Sequence, residues 1–286
     1  MKPLFLLLLT VCAVFADTQT DIEYARVGDF SLKLDLHRPA MPKSPLIVYV
    51  HGGAWRAGSK SDVPIAALLD RGFAIASVDY RLSTQAVFPA QVHDIKAAIR
   101  FLRASAERFQ IDATSIAIIG SSAGGHLAAL TGVTNENRAL EGKIGEHLDQ
   151  SSAVQRIVSL YGASNLQTIL AQSTEYGLKM RVPALELLLG GQPTEKPELA
   201  KLASPVAHLD KGDPPLLLIH GDADPQMPPQ QSRELAKAYA EMGLAVKLIT
   251  LPGSRHGGVE FYDGERTDTM AAFLSEALAG GKKAAR

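Results

Sequence analysis

The chain has 286 residues, 46% of them hydrophobic and 21% charged, with a formal net charge of -1. This length and balance describe an ordinary globular chain, one large domain whose core needs neither metal nor disulfide staples. Apart from a short basic tail, Lys282 to Arg286, no basic block or stripe stands out, so nucleic acid is not an expected partner.

The first element is a leader. Lys2 is followed by the apolar run Leu4 to Leu9 and then by Thr10 to Ala16, after which Asp17 to Asp21 turns polar. A positive start, a short apolar stretch and modest residues at Val14 and Ala16 predict a secretory signal over residues 1–16 and a mature domain over 17–286, secreted or periplasmic. The stretch is too short to span a bilayer and no later run is long enough, so no membrane span is expected. The only cysteine, Cys12, lies inside the leader. Val11 is bulkier than the small residue that usually precedes a lipid-anchored cysteine, and cleavage after Ala16 leaves no disulfide, thiolate or cysteine metal site.

Further along, Phe30 to Leu36 alternates and predicts an antiparallel edge strand. Leu46 to Val50, Phe73 to Val78, Ser115 to Ile119, Ile157 to Tyr161, Pro215 to Ile219 and Val246 to Thr250 are continuous β-rich runs, as expected of strands covered on both faces. Between them, Gln91 to Arg103, Ser232 to Met242 and Thr269 to Leu278 carry apolar residues at helical spacing. Strand and helix alternate, which predicts an α/β fold with a mostly parallel central sheet flanked by helices. Ala163 to Ala207 breaks the rhythm. It reads as a small helical cap insertion over the sheet edge, or as an irregular connection away from any substrate.

Four segments carry chemistry. Gly120-Ser121-Ser122-Ala123-Gly124 follows an apolar strand and precedes a helical pattern, the context of a nucleophile elbow with Ser122 as nucleophile. A serine hydroxyl needs a base. Of the eight histidines, His256 sits in a glycine-rich loop after the last predicted strand, where a side chain can return over Ser122. The base in turn needs a carboxylate to orient it. His220-Gly221-Asp222-Ala223-Asp224 offers two. Asp224 lies further into the loop, while Asp222 is placed to bond the turn's own backbone, which favours Asp224. The fourth segment, His51-Gly52-Gly53-Ala54-Trp55, follows another strand. With the Ala123 N–H its backbone donors would make an oxyanion hole.

With these motifs, the chain resembles the α/β-hydrolase fold carboxylesterases of the hormone-sensitive-lipase-like and acetyl or feruloyl esterase (BD-FAE-like) group. The likeness runs from about Leu34 to Gly257, and also rests on Asp79-Tyr80-Arg81-Leu82, Phe88-Pro89-Ala90-Gln91 leading to Asp94, and Ser204-Pro205. It implies Ser122, Asp224 and His256 as a catalytic triad and Gly53, Ala54 and Ala123 as oxyanion donors. It further implies Trp55 beside the acyl or alcohol pocket, and Asp79, Tyr80, Arg81 and Asp94 as supports. Two departures from the group's pattern stand out. Ala54 replaces a third glycine, and Arg255 precedes the histidine, where it either brings a cation to the site or points to solvent.

The implied reaction is hydrolysis of short-chain acyl or carbohydrate (acetyl or feruloyl) esters through an acyl-enzyme. The substrate would be a small-molecule or carbohydrate ester, and no metal or organic cofactor is called for. Two alternatives use the same residues or fold: an amide hydrolase, such as an aryl formamidase or small peptidase, and a non-catalytic binding protein.

Overall fold

The computed structural model describes residues 17–135 and 137–281. The expected leader, with Cys12, and the basic tail lie outside the described residues. Eight strands form one sheet in the order β1-β2-β4-β3-β5-β6-β7-β8. They are β1 (Asp17–Val27), β2 (Phe30–Arg38), β3 (Ser44–Val50), β4 (Ala74–Val78), β5 (Ile111–Ser121), β6 (Arg156–Leu160), β7 (Leu216–Gly221) and β8 (Val246–Leu251). β1 pairs antiparallel with β2 and β2 with β4, and every pairing from β4 to β8 is parallel.

The helices in chain order are α1 (Ala90–Ala104), α2 (Ala106–Phe109), α3 (Ala123–Gly132), α4 (Arg138–Glu141), α5 (Ile169–Gln172), α6 (Glu175–Leu189), α7 (Pro197–Leu202), α8 (Pro229–Glu241) and α9 (Gly264–Gly281). Strand residues alternate between two apolar layers, as the two-residue period of a strand requires. Leu46, Val48 and Val50 of β3 pack in one layer with Val92, Ile95 and Ile99 of α1, Leu127 and Leu130 of α3, and Leu235 of α8. Ile47 and Tyr49 pack in the other with Phe261 and with Met270 and Leu274 of α9. Burial on both faces is why these strands read as unbroken apolar runs.

Two expectations need correction at the sheet's borders. Phe30 to Leu36 is antiparallel, but it is not an edge: β1 lies outside it. β1 escaped the sequence reading because an exposed border strand carries polar residues, Asp17-Thr18-Gln19-Thr20-Asp21, that resemble a linker. At the opposite border, β8 is only partly covered, with Lys247 and Thr250 exposed. Its β-rich composition had placed it among the fully covered strands.

Parallel strands all send their carboxyl ends to the same side of the sheet, where ligands of open α/β sheets bind. The loops after β3, β5, β7 and β8 therefore meet there. The chain between β6 and β7 folds as α5, α6 and α7 and passes over that side. Among the described residues no helix is long and apolar enough to cross a membrane.

Candidate active site

Ser122 stands between β5 and α3 with φ 55° and ψ -117°. That is a strained conformation for a residue with a Cβ. The turn closes because Gly120 and Gly124 leave room. A Cβ on Gly120 would lie 2.1 Å from the Gly124 carbonyl oxygen, and one on Gly124 would lie 2.0 Å from that of Val50. The Ser122 N–H donates to Leu160 O at 2.9 Å, and its carbonyl accepts from the His126 N–H at 3.0 Å. The backbone is thus held from the neighbouring strand and the following helix while the side chain points out at the helix N-terminus.

The sequence-predicted base and acid meet it there. Ser122 Oγ is 2.8 Å from His256 Nε2, and His256 Nδ1 is 2.6 Å from Asp224 Oδ2. The Asp224 contact fixes the tautomer: Nδ1 carries the proton and donates it to the carboxylate, so Nε2 is left to accept from the serine. Asp224 is buried. Burial alone would raise its carboxyl, but hydrogen bonds from His220 and His256, the charge of His256 and the Met227 N–H outweigh it and hold the group below the usual carboxylate range. Its Oδ1 accepts from the N–H groups of Gln226 and Met227 at 2.8 and 2.9 Å.

Asp222 does not compete for the histidine. It accepts the Gly253 N–H at 2.7 Å, which ties the acid loop to the histidine loop rather than to its own turn. His220 went unnoticed as a participant in the sequence reading. Its Nε2 lies 3.3 Å from Asp224 Oδ2 and 3.1 Å from Met227 O, and its Nδ1 is 2.7 Å from Ser232 Oγ. Its place at the end of β7, four residues before Asp224, was the available signal.

The loop after β3 faces Ser122 from the other side. Gly53, Ala54 and Trp55 all have positive φ, at 104°, 52° and 61°. The loop is fixed by Arg56 and Ala57 N–H groups donating to Gly53 O at 3.1 and 3.0 Å. Among the described residues the N–H groups of Gly53 and Ala54 have no hydrogen-bond acceptor, and Gly53 and Ala54 line the cleft. Ala123, the first residue of α3, has no partner for its N–H within the helix. These are the three donors that the sequence had singled out.

Trp55, expected as a substrate-binding residue, requires a correction: it is fully buried and sits behind Arg181 rather than among the residues lining the cleft. Its Nε1–H donates to His126 Nδ1 at 3.1 Å, and His126 Nε2 in turn donates to Ala203 O at 2.6 Å. Burial pulls His126 down to about 4, so the ring stays neutral and can accept from the indole. A bulky apolar side chain with one donor is suited to anchoring a strained loop to the core, and that is its place here.

The proposed supports stand where the motifs put them. Arg81 donates to both oxygens of Asp94, at 2.8 and 2.7 Å, and Tyr80 Oη donates to His51 O at 3.1 Å. Asp79 accepts the Lys60 N–H at 2.7 Å.

The cleft between these loops and α6 has a volume of about 480 Å³. Tyr161 and His256 meet edge to face, 4.9 Å between centroids and 67° between planes, and Tyr161 Oη is 2.5 Å from Tyr262 Oη. From α6 come Met180 and Arg181. Arg255 is exposed and does not line the cleft, so it points to solvent. A larger hollow, about 680 Å³, opens between β8 and α9 and is lined by Arg156, Lys247, Asp268, Phe273 and Glu276, away from Ser122, His256 and Asp224.

The family model described as BD-FAE matches residues 34–239. Esterase LipC of Mycobacterium tuberculosis is 32% identical over 247 residues, which cover 83% of this chain and 59% of LipC. The isoprenylcysteine alpha-carbonyl methylesterase ICME of Arabidopsis thaliana is 28% identical over 257 residues, 87% of this chain and 56% of that protein. The chain thus spans less than three fifths of the length of these curated relatives. Among solved structures, a truncated carbohydrate esterase from gut microbiota aligns with a TM-score of 0.85 at 33% identity, over 93% of this chain and 97% of that one. The family match covers the elbow, the oxyanion loop and Asp224, and with the near-complete overlap on a solved structure it places the chain in the BD-FAE family, with the α/β-hydrolase fold.

Proposed function

We propose that this protein is a serine hydrolase of carboxylic esters, working through an acyl-enzyme at Ser122. The observation that carries the reading is the continuous chain Ser122 Oγ, His256, Asp224, with contacts of 2.8 and 2.6 Å, opening into a cleft beside free backbone N–H groups. The names of the relatives and of the carbohydrate esterase neighbour point the same way.

In the first half-reaction the Ser122 Oγ–H bond breaks as Oγ bonds the ester carbonyl carbon, and the proton passes to His256 Nε2. Asp224 remains ionised and stabilises the imidazolium. The carbonyl oxygen becomes an oxyanion and takes hydrogen bonds from the N–H groups of Gly53, Ala54 and Ala123. Losing one such donor typically costs on the order of 3 kcal/mol of transition-state stabilisation. The oxyanion collapses, the alcohol leaves with the proton from His256, and Ser122 holds the acyl group. Water then enters, gives its proton to His256 and attacks the acyl carbon. Ser122 leaves with that proton and the free acid is released.

A cleft of this volume sits at the small-molecule end of binding sites, and it supports short-chain acyl esters or carbohydrate esters of the acetyl or feruloyl kind as substrates. The leader read over residues 1–16 supports action outside the cytoplasm, and N-terminal sequencing of the exported protein checks cleavage after Ala16. Hydrolysis of p-nitrophenyl esters from acetate to decanoate, by wild type and Ser122→Ala, tests the reading. Rapid cleavage of the short esters, lost in the variant, is the expected result. Turnover that survives Ser122→Ala would reject the nucleophile.

A further inference from the structure

Arg181 is the odd member of the cleft. It sits on α6, only 2% exposed, yet it lines the space in front of Ser122. Its Nε donates to Gln226 O at 3.2 Å, while its Nη1 is buried with no hydrogen-bond partner. Among the described residues no carboxylate lies within ion-pair distance of it. The guanidinium carbon is 5.8 Å from the Trp55 ring centroid, a contact that offsets only part of the lost hydration. An uncompensated buried cation is costly to a fold. Burial pulls this guanidinium down to about 10; the attraction of Asp224 opposes it, and the charge of Arg56 adds a smaller push in the same direction as burial.

A second cation belongs to the same wall. Arg56 follows the oxyanion loop, is half-buried, lines the cleft and forms no ion pair among the described residues. Two acidic groups belong to the cleft region as well. Asp224 is taken up by His256 and His220, and Asp62 lines the cleft at an exposed position, with its charge felt by His51, Tyr49 and Tyr262. Among the described residues neither carboxylate comes within ion-pair distance of Arg181 or Arg56, so two unpaired guanidinium groups stand along α6 and the oxyanion loop. Arginine's planar donors match a carboxylate better than a point charge would. One guanidinium with a free nitrogen and a second at its side suit a singly charged carboxylate.

We propose that the preferred substrate is an ester that carries a free carboxylate in its acyl or alcohol part, and that Arg181, assisted by Arg56, is the group that pairs with it. This rests on ester hydrolysis at Ser122 and adds the charge of the substrate to it. The carboxylate can come from a dicarboxylic acyl group or from an acidic sugar, and the pairing chemistry is the same.

The experiment compares kcat/KM for two matched pairs. One pair is p-nitrophenyl butyrate against mono-p-nitrophenyl glutarate, with the acid on the acyl side. The other is an acetylated methyl glucoside against the acetylated methyl glucuronoside, with the acid on the alcohol side. Wild type is expected to prefer one charged member over its neutral counterpart by roughly ten- to a hundredfold, the worth of a charged hydrogen bond. The pair that shows the preference identifies the source of the carboxylate. Arg181→Gln should erase most of that ratio through KM, Arg181→Lys should restore part of it, and Arg56→Gln should erase a smaller part. A merely structural role would lower both members of a pair alike. If Arg181→Gln does not fold, inhibition of wild-type p-nitrophenyl acetate hydrolysis decides the matter. Free glutarate and glucuronate should then inhibit at roughly tenfold lower concentration than glutaramide and glucose.

No preference for either charged ester overturns the proposal, as does a preference that survives both arginine substitutions, or equal inhibition by acid and neutral compounds. If neutral esters are still cleaved in a Ser122-dependent way, the carboxylate proposal alone has failed. If none of the four esters is cleaved, the ester reading has failed with it.

Discussion

The two walls of the cleft are made differently. The floor is formed by the turns after β3, β5, β7 and β8, and each functional group there is fixed by backbone contacts: Ser122 by Leu160 O, Asp224 by two N–H groups, and the Gly53 loop by its own turn. The roof is α6, which packs Ala184, Leu185, Leu188 and Leu189 into the core and is tied by a few hydrogen bonds at its ends and toward the acid loop. Thr174 Oγ1 and Arg181 Nε donate to Pro225 O and Gln226 O at 2.8 and 3.2 Å, and Leu188 O accepts the Phe88 N–H at 2.8 Å. α3, under the floor, is buried along its whole length, whereas α6 contains Pro183 and exposes Tyr176 and Val182. The lesson is a division of labour. The floor carries the nucleophile, base and acid on backbone-fixed turns, and the roof contributes side chains, Met180 and Arg181, to the cleft wall.

The comparison is broken most severely at the floor. Ser122→Ala should reduce kcat for p-nitrophenyl acetate by roughly 10⁴-fold or more while the thermal unfolding midpoint changes little, since only one oxygen at the cleft surface, bonded to His256, is removed. Asp224→Asn should cost roughly 10⁴-fold in kcat, because an amide neither selects the right His256 tautomer nor stabilises its cation. Asp222→Asn, which touches only Gly253, should stay within about tenfold, and the opposite ranking would move the acid role to Asp222.

A second test reaches the anchor of the oxyanion loop. His126 joins Trp55 to Ala203 and is held neutral by burial, down to about 4 against an unfolded value of 6.5. Below 6.5 the unfolded chain takes up a proton that the folded chain refuses, so stability is highest above that pH and falls as pH drops toward 4. The loss from this one group is about 3 kcal/mol across the window. Denaturant unfolding at pH 7 and pH 4.5 measures it, and His126→Asn should flatten the dependence while lowering stability at neutral pH. The smallest effect is expected at the roof. Met180→Ala should raise KM for butyrate by about three- to tenfold with kcat nearly unchanged, the size expected when an apolar contact of one or two methylenes is lost from a pocket. A large fall in kcat instead would show that α6 helps to position the floor.

The separation between floor and roof also explains what sequence alone determined. Glycines around Ser122, the strand preceding it, and the serine, aspartate, histidine order are local or ordinal features, and their geometry follows from them: Gly120 and Gly124 are required by contacts within the elbow and with β3. The parallel centre of the sheet was equally legible, because burial on both faces leaves a one-dimensional trace in unbroken apolar runs. Other features depended on what lies alongside. β1 pairs along its length with β2, although its polar opening residues carried no strand signal of their own. Trp55 turned inward because His126, seventy-one positions away, accepts its indole N–H. Arg181 looks in sequence like any helix arginine. Its charge becomes exceptional only when α6 lies over the cleft, excluding water without supplying a carboxylate, and that arrangement is decided by the packing of distant segments.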